Sequence, residues 1–276
     1  MTMREGFAGP FSFNHFCRSP WYGIEPDLPR AIDAAARAGF ALFSPDCLSL
    51  AAWQKEGRSL AALTRHARDA GIVIGPLVAC AMLDGSAAAL DGLIAAGRMA
   101  GELGTNVLQV NVTGETPETR GAAVATACDR MDAIGPFRLA IEYMPFSGLA
   151  TLAETLDIVG QVGEARAGAM VDLWHLSHDP TGWEVLAGAP LTAIAYVEID
   201  DALAPLGTDL MVETTDRRTF PGEGILETQR FADLLCARGY QGPVSVEILS
   251  RALIEEPVES FAARAYQTSS ALFRAA

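Results

Sequence analysis

The chain has 276 residues, half of them hydrophobic, and a formal charge of −14 at pH 7. Lys55 is its one lysine, so it lacks the cationic excess that displaces counterions from a nucleic-acid backbone, and no nucleic-acid partner is expected. No charge-free run of about 18 apolar residues occurs, so no membrane span is expected either.

Strand-like and helix-like segments alternate along the whole length. Phe11–Asn14 reads as a first strand, and residues 27–39 as a helix with apolar residues at helical spacing and Gly39 as its stop. Residues 40–44 are a second strand and 59–71 a second helix; 72–78 are a third strand and 87–104 an Ala-rich helix. A fourth strand over 106–111 precedes a helix over 119–135. The fifth strand ends in Leu139-Ala-Ile-Glu142 and is followed by a helix over 151–163. The sixth ends in Ala169-Met-Val-Asp172, with a short helix near 183–188 after it. The seventh carries Glu198, and a long loop leads to a helix over 225–239. The eighth is Pro243-Val-Ser-Val-Glu247, and a helix over 260–275 closes the chain.

Eight β/α units take roughly 250 residues in a (β/α)8 barrel. With no linker and no low-complexity tract, the expectation is a single TIM-barrel domain over residues 1–276. A doubly wound open sheet is the alternative, weakened by the absence of a GxGxxG turn after the first strand. The five cysteines stand singly with no CxxC pair, which disfavours a zinc–thiolate site and suggests reduced thiols. The N-terminus lacks a signal-peptide layout, so a cytoplasmic protein is expected.

Glu142, Asp172, Glu198 and Glu247 each end a strand-like run. Any one of them could cap a helix or pair with an arginine. Four at the same end of successive strands point instead to the rim where barrels carry their chemistry. Carboxylates converging there repel unless a cation lies between them, and a divalent metal with oxygen ligands is the simplest such cation.

On these residues the chain resembles the xylose-isomerase-like TIM barrels, a superfamily of sugar isomerases and epimerases. Glu142 resembles the fifth-strand metal glutamate, Asp172-Leu-Trp-His175 the D-x-x-H motif, and Glu247 the eighth-strand metal glutamate. Arg217 or Arg218, before Pro221-Gly-Glu-Gly224, resembles the arginine and loop placed over the substrate. The chain departs from the family at Glu198, which stands where many members carry a histidine ligand; a carboxylate there favours Mn2+ or Mg2+ over softer ions.

The resemblance implies a divalent-metal-dependent isomerase or epimerase acting on a sugar-like or polyol-like carbonyl compound through an enediolate. Its expected metal ligands are Glu142, Asp172, Glu198 and Glu247, with Glu142 and Glu247 as acid and base. His175 and one of Arg217 and Arg218 are expected to hold substrate oxygens. His15 and Trp174 are further candidates for substrate contact, each equally well read as structural. A lyase or dehydratase shares the first chemical step and is the alternative, with a non-catalytic binding barrel behind it. With no visible phosphate cradle, an unphosphorylated small molecule is the expected partner, and a homo-oligomer is left open.

Overall fold

Alternation of apolar and polar residues along the short strands decides the architecture. In Phe11-Ser-Phe-Asn14 and Val107-Leu-Gln-Val-Asn-Val112, one set of side chains joins the large buried core while Ser12, Asn14, Gln109 and Asn111 face the other way. The computed structural model describes residues 7–274; Met1–Gly6 and the predicted helix end at Ala275 lie outside the described residues.

Eight strand positions form a ring of parallel pairs. They are β1 (Phe11–Asn14), β2 (Leu42–Ser44), β3 with β4 (Val73–Ile74, Leu77–Leu83), β5 (Val107–Val112), β6 (Arg138–Glu142), β7 (Ala167–Asp172), β8 (Ile194–Ile199) and, after a two-stranded excursion, β11 (Val244–Val246). The excursion pairs β9 (Asp201–Ala202) with β10 (Arg218–Thr219), antiparallel. The first and last strands close the ring, with Phe11 opposite Val244 and Phe13 opposite Val246. That closure excludes an open doubly wound sheet.

The third predicted strand is interrupted. Pro76 has no N–H for the ladder, and a Cβ at Gly75 would stand 2.9 Å from Ser44 Oγ and 3.2 Å from Ser12 Oγ. β3 therefore pairs with β2, and β4 pairs with β5, while an Asp46–Val78 bridge spans the seam. Most predicted helices stand within a few residues of the observed ones, for example Leu28–Ala38 with Gly39 in the left-handed conformation as its cap. Three were not anticipated: Cys47–Lys55, started by the Asp46 carboxylate, Leu173–Ser177, started by that of Asp172, and Leu210–Asp216, started by that of Asp209. Among the described residues no helix is long and apolar enough to cross a membrane.

The excursion after β8 is fastened by one side chain. Buried Asp201 accepts the N–H groups of Gly222 (3.0 Å), Gly224 (2.9 Å), Leu226 (2.8 Å) and Ala202 (2.8 Å). The Pro221–Gly224 turn closes round this carboxylate, and a Cβ at Gly224 would collide with it and with the Ala202 carbonyl. β10 is thereby held beside the barrel mouth, and the Arg218 N–H donates to the Leu249 carbonyl just past β11 (2.9 Å). Asp201→Ala removes a buried carboxylate that pairs with four backbone N–H groups, one of them buried and three partly buried, and should cost at least about 2 kcal/mol in urea unfolding. A change within about 0.5 kcal/mol, the range of an uninvolved surface site, would show that the turn closes without it.

Candidate active site

Glu142, Glu198 and Glu247 end β6, lie near the end of β8 and follow β11, and each offers a carboxylate oxygen within 4.8 Å of the others. Neutral donors surround them. Asn14 Nδ2 donates to Glu198 Oε1 (2.8 Å) and Glu247 Oε1 (3.1 Å), and the Ser245 hydroxyl donates to Glu198 Oε1 (3.0 Å). The Asn14 amide is oriented by the Phe16 N–H, which donates to its Oδ1 (3.0 Å). Glu142 accepts from Gln109 and from Asn111 (2.7 Å), and His175 Nε2 lies 3.1 Å from its other oxygen. Gln109 is oriented in turn by the Ala79 N–H, which donates to its Oε1 (2.6 Å).

One guanidinium sits beside this cluster. Arg218 is 1% exposed, and its Nη1 reaches Asp172 (2.5 Å), Asp200 (2.7 Å) and Glu247 (3.4 Å). The Asp200 approach is a charge contact rather than an aligned hydrogen bond. Its Nη2 donates to the Thr214 hydroxyl (2.7 Å) and its Nε to the Thr214 carbonyl (3.1 Å). The other Asp172 oxygen accepts the His175 N–H (2.8 Å) and so caps the short helix Leu173–Ser177.

Burial and charge set the protonation pattern. Burial pushes the Glu198 carboxyl well above the usual range, and Glu247, Glu142 and Asp172 push it further. Burial likewise lifts Glu247 to about 8; Arg218 opposes the rise, while Glu142 and Asp172 add to it. Asp200 is raised by burial against the pull of Arg218. Burial works on Asp172 too, but Arg218 and His175 outweigh it and hold that carboxyl below the usual range. Burial disfavours the Arg218 charge, yet Asp172, Asp200 and Glu247 bind its proton more firmly than usual.

These groups border a cavity of about 230 Å3. Gln109, Asn111, Glu142, His175, Glu198, Arg218 and Glu247 line its polar part. Asp172 does not line it; both of its oxygens are engaged, one by Arg218 and one by the His175 N–H. The two arginines part at the end of the helix Leu210–Asp216: Arg217, its C-cap, bonds to Glu213 (3.0 Å) and the Ala204 carbonyl (2.8 Å), while Arg218 begins β10. His15 is buried against Asp46 (2.9 Å) and Ser49 (3.2 Å), away from this cavity, where it ties the end of β1 to the helix after β2. Trp174 also stays out of the lining; it is buried beside the His175 ring and 5.7 Å from the Arg218 guanidinium carbon.

Asn14, Gln109, Ser245 and Asp200 join the site without having been singled out from the sequence. The period-two alternation in Phe-Ser-Phe-Asn14 and Val-Leu-Gln-Val-Asn111 was the available signal, since it puts those polar side chains inside the barrel. The ligand atoms offered by Glu142, Glu198 and Glu247 are all carboxylate oxygens, and burial and neighbouring carboxylates raise the carboxyls of Glu198 and Glu247 despite Arg218. Those features fit a hard divalent cation, for which Glu142, Glu198 and Glu247 are the candidate ligands.

A family model described as a xylose isomerase-like TIM barrel matches residues 32–275. A 3-dehydroshikimate dehydratase of Pseudomonas aeruginosa is 31% identical over 103 residues, 36% of this chain and 16% of that protein. An inosose isomerase of Halalkalibacterium halodurans is 27% identical over 114 residues, 40% of this chain and 39% of that protein. The chain thus matches well under half the length of either relative. A crystal structure of the IOLI protein with a bound zinc atom superposes with a TM-score of 0.81 at 17% identity, covering 96% of this chain and 98% of that one, which shows a shared fold.

The raised carboxyls have a consequence for stability. An unfolded chain releases these protons near the ordinary carboxylate range of about 4.3, whereas the folded one keeps them up to about 8 at Glu247. Between those values the native state binds more protons than the unfolded state, so stability falls as pH rises. With chelator present, urea unfolding should show falling stability from about pH 5 to about pH 8, and Glu247→Gln should flatten the slope and stabilise the protein at pH 8. An unchanged slope in Glu247→Gln would contradict the assignment.

Proposed function

Because the chain belongs to the xylose isomerase-like TIM barrel family, we propose that it is a divalent-metal-dependent isomerase or epimerase that moves a proton beside the carbonyl of a sugar-like or polyol-like small molecule. The observation that carries this reading is the convergence of Glu142, Glu198 and Glu247 within 4.8 Å at the carboxyl ends of three barrel strands. The oxygen-only donor set favours Mn2+ or Mg2+, and Glu198 in place of a histidine strengthens that preference. Such a cation, when bound, supplies the positive charge that polarises a substrate carbonyl and stabilises an enediolate.

The residues of the chain do the rest. Glu247, ionised once a bound cation has displaced its proton, would accept the proton from the carbon next to the carbonyl. Glu142, steadied by Gln109, Asn111 and His175, returns a proton from another direction. Return to the same carbon from the opposite side gives epimerisation; return to the former carbonyl carbon, with the neighbouring hydroxyl's proton passing to the former carbonyl oxygen, gives isomerisation. Asn111 and His175 also line the cavity beside Glu142. Arg218 holds Asp172 and Glu247 in place rather than meeting the substrate directly. Dehydration is a second reading, favoured by the relative named as a dehydratase. It needs the same proton removal and a leaving group one carbon further on.

Two outcomes test the reading. Mn2+ should raise the melting temperature and EDTA should lower it, by the mass action of an ion bound only to the native state, and Glu198→Ala should weaken the effect. In D2O, wild type should place deuterium at the carbon next to the carbonyl of ketoses or keto-inositols, and Glu247→Gln and Glu142→Gln should each lose at least about a hundredfold in that rate. Loss of water with appearance of a conjugated enone would select dehydration. Turnover without solvent deuterium would exclude the proton-transfer mechanism.

A further inference from the structure

The cavity changes character from floor to mouth. Its floor holds the carboxylates with Gln109, Asn111 and His175, whereas Phe16, Trp21, Met82, Met144, Phe146 and Met211 line the remainder. Three of these stand largely in water: Trp21 is 56% exposed, Met211 48% and Met82 46%. The Phe16 and Trp21 rings lie 6.2 Å apart on one side, and Phe146 packs against the His175 ring at 6.1 Å on the other. An exposed apolar surface continuous with a polar pocket marks a place where something apolar binds. Aromatic faces and thioethers suit a flat, polarisable group in particular.

Charge limits the choice further. Arg218 is the one Arg or Lys among the described residues lining the cavity, and all three of its nitrogens are engaged by Asp172, Asp200 and Thr214. No side-chain cation of the described lining remains free to receive a phosphate or carboxylate, and the charge that a bound divalent ion would add is already offset by the three glutamates that hold it.

We infer that the substrate is an uncharged polyhydroxylated carbonyl compound bearing an aromatic substituent. Its oxygen-rich part meets the carboxylate floor, and the substituent lies against Trp21, Met211 and their neighbours at the mouth. This rests on the proton-transfer reading above, and it adds a substrate class which that reading does not contain. A plain sugar would fill the floor and leave the aromatic and methionine side chains in water.

The 3-keto derivatives of phenyl and methyl β-D-glucopyranoside, here called the phenyl and methyl glucosides, share a polyhydroxylated carbonyl and differ in the apolar group, so they serve as probes. Calorimetric titration of the Mn2+-supplemented protein should show the phenyl glucoside binding at least about tenfold tighter, the factor that 1.4 kcal/mol of extra binding gives. The Trp21→Ala/Met211→Ala double variant removes side chains that are largely exposed, so folding should persist. It should reduce the preference to about twofold or less while methyl glucoside affinity stays unchanged. Equal affinities in wild type, no binding of either glucoside, or a preference that survives in the double variant would each overturn the inference. So would light scattering that shows a dimer which the double variant dissociates, because a second copy would then cover the mouth. Mn2+ binding, followed in the same samples by thermal shift, separates the two levels. If Mn2+ binds without a phenyl preference, the substrate class alone fails; if Mn2+ does not bind, the reading beneath it fails.

Discussion

Mutual repulsion of acidic groups crowded at one end of the barrel governs this molecule. Glu142, Asp172, Glu198, Asp200 and Glu247 meet there, and four of the five are buried. Two like charges 4 Å apart cost about 4 kcal/mol at an effective dielectric constant of 20, so five cannot all ionise unaided. Arg218 relieves one side, where Asp172 and Asp200 meet its guanidinium. On the other side Glu142, Glu198 and Glu247 share neutral amide and hydroxyl donors, and burial and neighbouring charge raise the carboxyls of Glu198 and Glu247. Protons are the resident compensation there, and a divalent cation is the stronger one.

The same repulsion explains why the excursion between β8 and β11 is built so firmly. Arg218 can serve the carboxylates only if β10 is fixed at the mouth. Asp201 fixes it by gathering four backbone N–H groups, and Thr214 fixes the guanidinium from the helix Leu210–Asp216. Arg217, one residue earlier, joins Glu213 on the outer side of the same segment. Two consecutive acids, Asp200 and Asp201, thus serve opposite ends of one device. The first meets the arginine, and the second ties down the loop that carries it.

Much of this was legible in the sequence, for definite reasons. Glycine stops such as Gly39 and Gly104, followed by short apolar runs, marked the β/α rhythm, because both take left-handed caps that end their helices. Acidic residues at the ends of those runs marked the rim. The break in the third strand was signalled by Gly75-Pro76 but is decided by packing against Ser12 and Ser44, which lie far off in sequence. The helix Cys47–Lys55 has no clear apolar face and depends on its Asp46 cap, so periodicity did not reveal it. Which of Arg217 and Arg218 turns inward depends on the register of β10 against β9, with Arg218 opposite Ala202, and no local pattern encodes that pairing. The engagement of Asp172 by Arg218, rather than its exposure to the cavity, is likewise a tertiary outcome.

The central claim is that protons now held by the crowded carboxylates give way to a divalent cation. Calorimetric titration with Mn2+ at pH 7, repeated in buffers of different ionisation enthalpy, counts the protons released per ion bound. Release of about one proton or more for each Mn2+ is predicted, because Glu198 and Glu247 must ionise to act as ligands. Binding of Mn2+ with no proton release would mean that these carboxylates are already charged or stand apart from the ion, and would contradict the account.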